Sequence, residues 1–464
     1  MFGILISLGL LMYLAYRGIS VLILAPLLAM LAVFLNDGGP LLGTYTQVFL
    51  PALGAYLVKF FPLFFLGAIF GKLMQDSGAA SAIARSIIST LGAERAALAV
   101  VGACAVLTYG GVSLFVVAFA VYPIAASMFV AANKPKRLIP AAIALGAFTF
   151  TMTALPGSPQ IQNAIPAPYF GTDSFAAPVS GLLAAVIIVA FGMWWLGRRL
   201  AAAAEADEGY GEEDGFAAGA EADPAQAREQ APDEPPLWSA IAPILIVIGL
   251  NLLSSRVILP ALDTSYLAEE AYGGAELSDV RGLWSLIIGL AAAILATIAL
   301  NYRRLTDLNR SLTDGVSASF LPIFNTSSEV GYGTVIASLA AFAVLRDGVV
   351  NIAPGAPLIS EAIAVNILAG VTGSASGGMS IALEALGDTY LEMAREADVS
   401  PELLHRVAAL SSGGFDVLPH NGAVITLLAI TGLTHAKSYF DIFMVAVVGP
   451  ILGLIAVLLL SFFV

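Results

Sequence analysis

The sequence predicts an all-α, polytopic membrane protein built from two inverted repeats. The chain is 59% hydrophobic and only 11% charged, with a mean hydropathy of +0.89, whereas soluble domains carry about 25% charged residues. Long apolar runs with few charges recur along the chain, as membrane-spanning helices require. Glycine and proline interrupt these runs at corresponding places in two halves, a pattern typical of transporters with internal repeats.

Each half is predicted to contain five spans and one re-entrant hairpin. We take residues 1–16 as a membrane helix, because they lack the basic segment that opens a cleavable signal. The first repeat, 1–199, has spans near 2–16, 18–36, 47–74, 138–165 and 178–198 and a hairpin near 95–131. The second repeat, 238–464, has spans near 238–255, 282–301, 315–340, 404–433 and 439–463 and a hairpin near 357–390.

The segment between the repeats, 200–237, has the composition of a disordered cytoplasmic linker. It contains eleven acids and one base, Arg228, among Gly, Ala and Pro. Such a segment cannot bury enough apolar surface to fold. A solvated tether and a regulatory element are both compatible with it. The amphipathic stretch Ser77–Leu91 predicts a helix along the cytoplasmic surface.

Basic residues orient the spans with the N- and C-termini outside, because cytoplasmic loops are enriched in Lys and Arg. Five spans per half is an odd number, so the two halves enter the membrane in opposite senses. The predicted outer face collects Arg256, Arg281, Arg346, Arg395 and Arg406, and His405 falls near a membrane surface. The predicted cytoplasmic face collects Arg17, Lys72, Arg85, Arg95, Lys134, Lys136, Arg137, Arg198, Arg199, Arg228, Arg303, Arg304, Arg310 and Lys437.

The two hairpin tips are candidate substrate-binding turns. Glycine permits a sharp turn and close approach of a ligand to the backbone, and the start of the returning helix favours an anion. Tight helix packing through small residues is the alternative explanation. The candidate binding residues are Thr108, Tyr109, Gly110, Gly111 and Ser113 at the first tip and Ser374, Ser376, Gly377, Gly378 and Ser380 at the second.

Two spans are predicted to break at Leu155-Pro156 and Leu418-Pro419. Proline removes a backbone donor, and irregular backbone at membrane depth is tolerated only where it is buried or lines a cavity. Polar side chains near the breaks are therefore predicted to bind substrate: Gly157, Ser158, Gln160 and Asn163 in the first half and Asn421 in the second.

Three ionisable residues at predicted membrane depth are candidates for proton coupling, since such residues are usually functional. Asp416 and His420 flank the second proline break, and histidine titrates near physiological pH. A structural role for His420 is an open alternative. Glu329 follows a polar stretch, 325–328, that predicts another break in its span; it could instead cap a helix end.

No enzyme motif is found in the sequence. It lacks a phosphate-binding lysine loop, a zinc-binding His/Glu pattern and a nucleophile elbow. We therefore expect no catalytic residue, cofactor, metal site or nucleic-acid partner. The single cysteine, Cys104, can form neither an internal disulfide nor a metal cluster.

The chain resembles the gluconate permease family of the ion-transporter superfamily over nearly its whole length. The resemblance rests on Leu10–Gly18, Leu66–Gly78, the Thr108–Ser113 turn and Leu418–Gly422. It implies scaffold and transport domains, a homodimer, elevator-type movement and proton-coupled uptake of sugar acids. The Ser-Asn-Thr tips of the superfamily's sodium symporters are missing here. The Pro-His-Asn-Gly and Leu-Pro-Gly-Ser-Pro breaks also differ from gluconate permeases proper, which points to a short hydroxy acid such as 3-hydroxybutyrate as an alternative substrate.

Together these features predict a secondary transporter in a prokaryotic inner membrane. It would import a small hydroxylated monocarboxylate with protons by alternating access. Sodium coupling is an alternative, because hairpin carbonyls and hydroxyls can coordinate that ion. An anion channel, which needs a continuous pore, is a second alternative.

Overall fold

The fold is helical, as predicted. The computed structural model describes residues 2–17, 19–36, 38–211, 234–342, 353, 355–419 and 421–462, and these contain helices and no β-strand. Within these ranges, five helices are long and apolar enough to cross a membrane, and several shorter apolar helices accompany them. Most of the predicted linker, 212–233, lies outside the described residues.

Eleven α-helices occur among the described residues of the first half. They are α1 (Phe2–Tyr16), α2 (Val21–Asn36), α3 (Leu41–Asp76), α4 (Ala79–Leu91), α5 (Ala96–Tyr109), α6 (Leu114–Ala131), α7 (Ile139–Ala147), α8 (Phe150–Thr153), α9 (Ile161–Ala164), α10 (Ala167–Phe170) and α11 (Pro178–Glu205). The predicted span at 138–165 is therefore interrupted between α8 and α9. Helix α11 continues past residue 198 into the predicted linker.

The second half is also helical. Its described helices are α12 (Leu237–Ala261), α13 (Leu277–Asn301), α14 (Leu308–Ser338), α15 (Pro357–Thr372), α16 (Ala375–Glu396), α17 (Pro401–Ser412), α18 (Gly422–Thr431) and α19 (His435–Leu460). The last predicted broken span, 404–433, is interrupted between α17 and α18. Helices α5 and α6, and helices α15 and α16, form the two predicted helix–turn–helix units.

The predicted break at 325–328 is wrong, because α14 is continuous through this stretch. Its polar side chains remain compatible with a helix: the Thr326 hydroxyl donates to the Pro322 carbonyl oxygen one turn earlier, at 3.1 Å. Gly331 and Gly333, which follow, allow α14 to pack closely against α3 and α16. A Cβ at Gly331 would lie 3.0 Å from the Phe49 carbonyl oxygen of α3.

Two antiparallel helix pairs connect the two halves of the chain. Helices α3 and α14 pack together over their length, since Gly315 lies against Ile69 near one end and Gly331 lies against Phe49 near the other. Helices α11 and α19 also run antiparallel, because Arg199 near the end of α11 bonds Asp441 near the start of α19 and Gly453 lies against Ala184 near the start of α11.

The smaller of two buried apolar clusters packs α1 and α2 against α3 and α14. It combines buried residues of α1 and α2 with Phe49 of α3 and with Tyr332, Val335 and Ile336 of α14. Ile381 of α16 also belongs to it. Helix α16 is therefore anchored against α14 and its neighbours close to the second tip.

Residues predicted to be cytoplasmic cluster around one buried carboxylate that the sequence analysis missed. Asp441, only 2% exposed, accepts hydrogen bonds from Arg137 Nη1 (3.0 Å), Arg199 Nε (2.8 Å) and Trp195 Nε1 (3.0 Å). Glu208 makes two bonds to Arg137, at 2.6 and 2.7 Å, and this contact lowers the pKa of Glu208. The cluster joins Arg137, which lies just before α7, to the C-terminal part of α11 and to the N-terminal part of α19.

The predicted amphipathic helix is present as α4. Its buried face carries Ala80, Ile83, Ala84 and Ile88. On its exposed side, Arg85 forms an ion pair with Glu234 at 3.0 Å. The described end of the linker segment therefore contacts this helix.

Candidate functional site

The first tip is a tight glycine turn between α5 and α6. Gly111 has φ +91°, a conformation that favours glycine, and a Cβ there would lie 2.9 Å from Pro159. A Cβ at Gly110 would come within 2.7 Å of Ile244 on α12. Thr108 is fully buried, and its hydroxyl has no hydrogen-bond partner among the described residues. Ser113 follows in an extended conformation and leads into α6.

The first break is tied to the first tip. Gln160 precedes α9, and its Nε2 donates to the carbonyl oxygens of Thr108 (2.7 Å) and Val112 (3.3 Å). The Tyr109 hydroxyl donates to the Pro156 carbonyl oxygen at 2.7 Å. The structure thus brings together residues that the sequence analysis selected in two separate motifs.

The second tip has the same arrangement with different side chains. Gly373 turns the chain after α15 with φ +64°, and the Ser374 hydroxyl caps α16 by accepting from the Gly377 amide at 3.0 Å. Asn421 precedes α18 and donates from Nδ2 to the Gly373 carbonyl oxygen at 2.9 Å. Its Oδ1 accepts from two amides of the α18 first turn. Ser376 Oγ lies 3.4 Å from the hydroxyls of Ser374 and Thr326.

The paired glycines of the second tip have different surroundings. A Cβ at Gly378 would overlap the backbone of Ala369 on α15, so this glycine allows the two hairpin arms to meet closely. A Cβ at Gly377 would instead overlap Glu329 Oε2 of α14. Two residues beyond Gly378, the buried Ser380 donates its hydroxyl to Tyr56 Oη of α3 at 3.1 Å.

Glu329 therefore lies at the second tip. It is 3% exposed, and its Oε2 has no hydrogen-bond partner among the described residues. A buried carboxylate without a cation is costly and usually neutralises instead. The sequence analysis missed a second acid of this kind, Glu361 on α15, which is fully buried with both oxygens lacking a described partner.

The polar side chains of the first break mostly bond within it. The Ser158 hydroxyl donates to the Thr151 carbonyl oxygen at 2.7 Å, and Asn163 Nδ2 donates to the carbonyl oxygens of Ser158 (2.9 Å) and Ser174 (2.8 Å). Gly157 has φ +83° and leaves room for the ring of Phe175. These contacts shape the break and leave its backbone in a fixed conformation.

Arg406 of α17 is the organising residue that the sequence analysis missed. Its side chain is fully buried. It donates to Asn163 Oδ1 (2.9 Å) and to the carbonyl oxygens of Thr153 (3.0 Å), Ser174 (3.4 Å) and Ala176 (2.8 Å). The guanidinium thus holds both flanks of the first break from a helix of the second half.

The predicted outer-surface position of Arg406 and His405 is wrong. His405 is also fully buried, and its Nδ1 lies 2.6 Å from the Thr172 hydroxyl. A positive-inside argument assigns a charge between two spans to a loop, and it cannot detect a partner in another part of the chain. One signal in the sequence could have indicated this burial. Pro401 is the first residue of the short helix α17, so Arg406 lies inside a helix and not in a loop.

The second break meets the first. A Cβ at Gly413 would lie 2.9 Å from Thr153 Cγ2, so the two irregular segments touch. Asp416 lies in the short 3-10 turn Phe415–Val417, is 9% exposed and has an Oδ1 without a partner among the described residues. His420 lies outside the described residues, so its role in proton coupling stays a prediction.

Comparison with known proteins identifies the family. Residues 1–463 match the model of the GntP family permeases. The chain belongs to the GntP permease family. It is 46% identical over 452 residues to the uncharacterized transporter YxjC of Bacillus subtilis (strain 168), covering 96% of this chain and 95% of the relative.

A solved structure is also similar. It is the Alcanivorax borkumensis YdaH transporter, with a TM-score of 0.47 and 14% identity, covering 88% of this chain and 86% of that one. Membership of the GntP permease family makes the chain a transporter rather than an enzyme. Its apolar helices are consistent with a multi-pass location in a bacterial inner membrane.

Proposed function

We propose that this GntP permease imports a small hydroxylated monocarboxylate together with protons by alternating access. The observation that carries the proposal is the buried Glu329 carboxyl beside the amide end of α16. An acid that has no cationic partner can bind and release a proton at little structural cost. The adjoining helix start, with its positive dipole end, suits a carboxylate.

The substrate would bind at the two tips and the two breaks. The Ser376 amide and the hydroxyls of Ser374 and Ser376 would hold the carboxylate, and the unpartnered hydroxyl of Thr108 is available to a second polar group. The remaining predicted residues supply backbone contacts or fix the turns. Asp416 and His420 stay candidates for a further step in proton transfer.

Two inverted repeats and an elevator movement are part of the proposal. Corresponding elements occur in the same order in both halves, and the corresponding pairs α3–α14 and α11–α19 are antiparallel. A two-fold axis in the membrane plane would produce this relation. We propose α1–α3 and α12–α14 as the scaffold, with the hairpins, breaks, α11 and α19 as the mobile domain of a homodimer with outside termini.

Uptake into proteoliposomes tests the proposal. Labelled gluconate is supplied under an inward proton gradient without sodium, with 3-hydroxybutyrate and other acids as competitors. We expect uphill accumulation that collapses with a protonophore, and the competitors rank the substrates. Rapid, non-accumulating flux would indicate a channel and contradict the proposal.

Sodium coupling is a second candidate, favoured by the hydroxyls of Thr326, Ser374 and Ser376 near Glu329. Oxygen donors around a carboxylate suit a hard cation. Accumulation that requires a sodium gradient and persists at equal pH on both sides would favour this candidate over protons.

A further inference from the structure

The Glu329 carboxyl lies directly over Gly377 in the first turn of α16, and we call this contact the notch. A Cβ at Gly377 would overlap Glu329 Oε2 and would lie 3.0 Å from Ser374 Oγ. Helix α16 is 22 residues long, so its first turn presents a full positive dipole end. The amides of Ala375 and Ser376, the first two of the helix, make no hydrogen bond to any described residue.

Among the described residues around the notch, no cationic side chain compensates the negative charge of an ionised Glu329 carboxylate. Helix α3 presents Tyr56, whose hydroxyl accepts from Ser380. From α14 itself, Tyr332 is bonded to Ser7 of α1 at 3.0 Å, and the buried side chains of α2 beside α14 are apolar. No lysine, arginine or histidine in the described ranges forms an ion pair with Glu329.

We infer that the ionised Glu329 carboxyl and the substrate carboxylate exclude each other at this notch. The inference rests on the proposed function and adds a coupling rule, which states how anion binding depends on the protonation of Glu329. Two like charges within one poorly solvated space repel strongly. An anion can therefore occupy the amide end of α16 only after Glu329 has taken up a proton.

This rule fixes the stoichiometry. One proton accompanies each monocarboxylate anion, so each transport cycle moves no net charge. By reciprocity, the bound anion raises the affinity of Glu329 for its proton by the same factor. For two charges sharing the notch, that factor is expected to be on the order of 100-fold.

The test compares the full-length wild type with Glu329→Gln in proteoliposomes. A control variant, Asp388→Asn, removes an exposed acid further along α16. Binding of gluconate, 3-hydroxybutyrate and plain monocarboxylates is measured between about pH 5 and pH 9 by the shift in melting temperature. Uptake of the best ligand is then measured under potassium-diffusion potentials of either sign.

We expect the affinity of the wild type and of Asp388→Asn for the monocarboxylate to fall by about tenfold per pH unit once the pH is high enough for Glu329 to lose its proton. Glu329→Gln should bind independently of pH and about 100-fold more tightly than the wild type at alkaline pH. The rate of wild-type uptake should not depend on the membrane potential. Uptake by Glu329→Gln should accelerate when the interior is positive, because the anion then crosses without a proton.

The outcomes separate the two proposals. If monocarboxylates bind but the wild type and Glu329→Gln share one pH profile, the coupling rule is wrong and the proposed function survives. Electrogenic wild-type uptake would also overturn the rule. If no monocarboxylate in the series binds at any pH, both the proposed function and the coupling rule are wrong.

Discussion

Removing the Arg406 guanidinium should destabilise the protein strongly, although the residue looks like a loop charge in the sequence. The fully buried side chain satisfies four acceptors around the first break, three backbone carbonyl oxygens and Asn163 Oδ1. A buried acceptor left without its partner costs about 1–3 kcal/mol. At the low end of that range, Arg406→Gln should lower the free energy of unfolding by about 4 kcal/mol.

Arg406→Lys separates charge from geometry. An ammonium keeps the charge but offers three donors from one point, so it cannot reach acceptors on both flanks of the break. If it keeps two of the four bonds, the loss should be about 2 kcal/mol. Such losses are a large share of a typical stability of about 5–15 kcal/mol.

Unfolding in mixed micelles, followed by circular dichroism during titration with dodecyl sulfate, measures these differences. Arg395→Gln is the matched control, because Arg395 is exposed near the end of α16. It should stay within about 0.5 kcal/mol of the wild type. An Arg406→Gln variant as stable as the Arg395→Gln control would refute the positioning role.

Three further predictions follow from the described contacts. Gly377→Ala should displace the Glu329 carboxyl and lower proton-driven uptake at least tenfold with normal membrane insertion, whereas Gly197→Ala, which meets no neighbour, should transport normally in the same assay. Asp441→Ala should cost about 3 kcal/mol in the unfolding titration, because it leaves two arginines without their shared partner. Glu208→Gln should be less stable than the wild type at neutral pH; since bonding to Arg137 lowers the pKa of Glu208, this difference should vanish as the pH falls through that lowered value, and a constant difference would contradict the ion pair.

Local sequence signals predicted the helices and their interruptions well. Apolar runs set the membrane helices, and glycine or proline sets a turn or break through its own backbone chemistry. The hairpin turns at Gly110–Ser113 and Gly373–Ser374 and the interruptions after Thr153 and Ser412 follow from such residues. The exception is α14, where Pro322 is accommodated, the Thr326 hydroxyl bonds within the helix and Glu329 contacts Gly377 of α16.

Partners distant in sequence could not be predicted in this way. Arg406 and Asp441 are charged residues near the ends of apolar segments, where solvent exposure is the ordinary expectation. Their burial depends on acceptors or donors more than 200 residues away. The contact of the Glu329 carboxyl with Gly377 is likewise a tertiary contact, between α14 and α16.

The tethers within the site indicate how it could move. Gln160 and Asn421 each precede the helix that resumes after a break, and each donates to a carbonyl at the hairpin tip of its own half. Arg406 and the contact of Thr153 with Gly413 then join the two halves of the site. Under the proposed elevator movement, this connected part of the site would be displaced against α3 and α14. Glu329 lies on α14 at that boundary, so under the proposal its protonation would control whether the second tip can move away from α14.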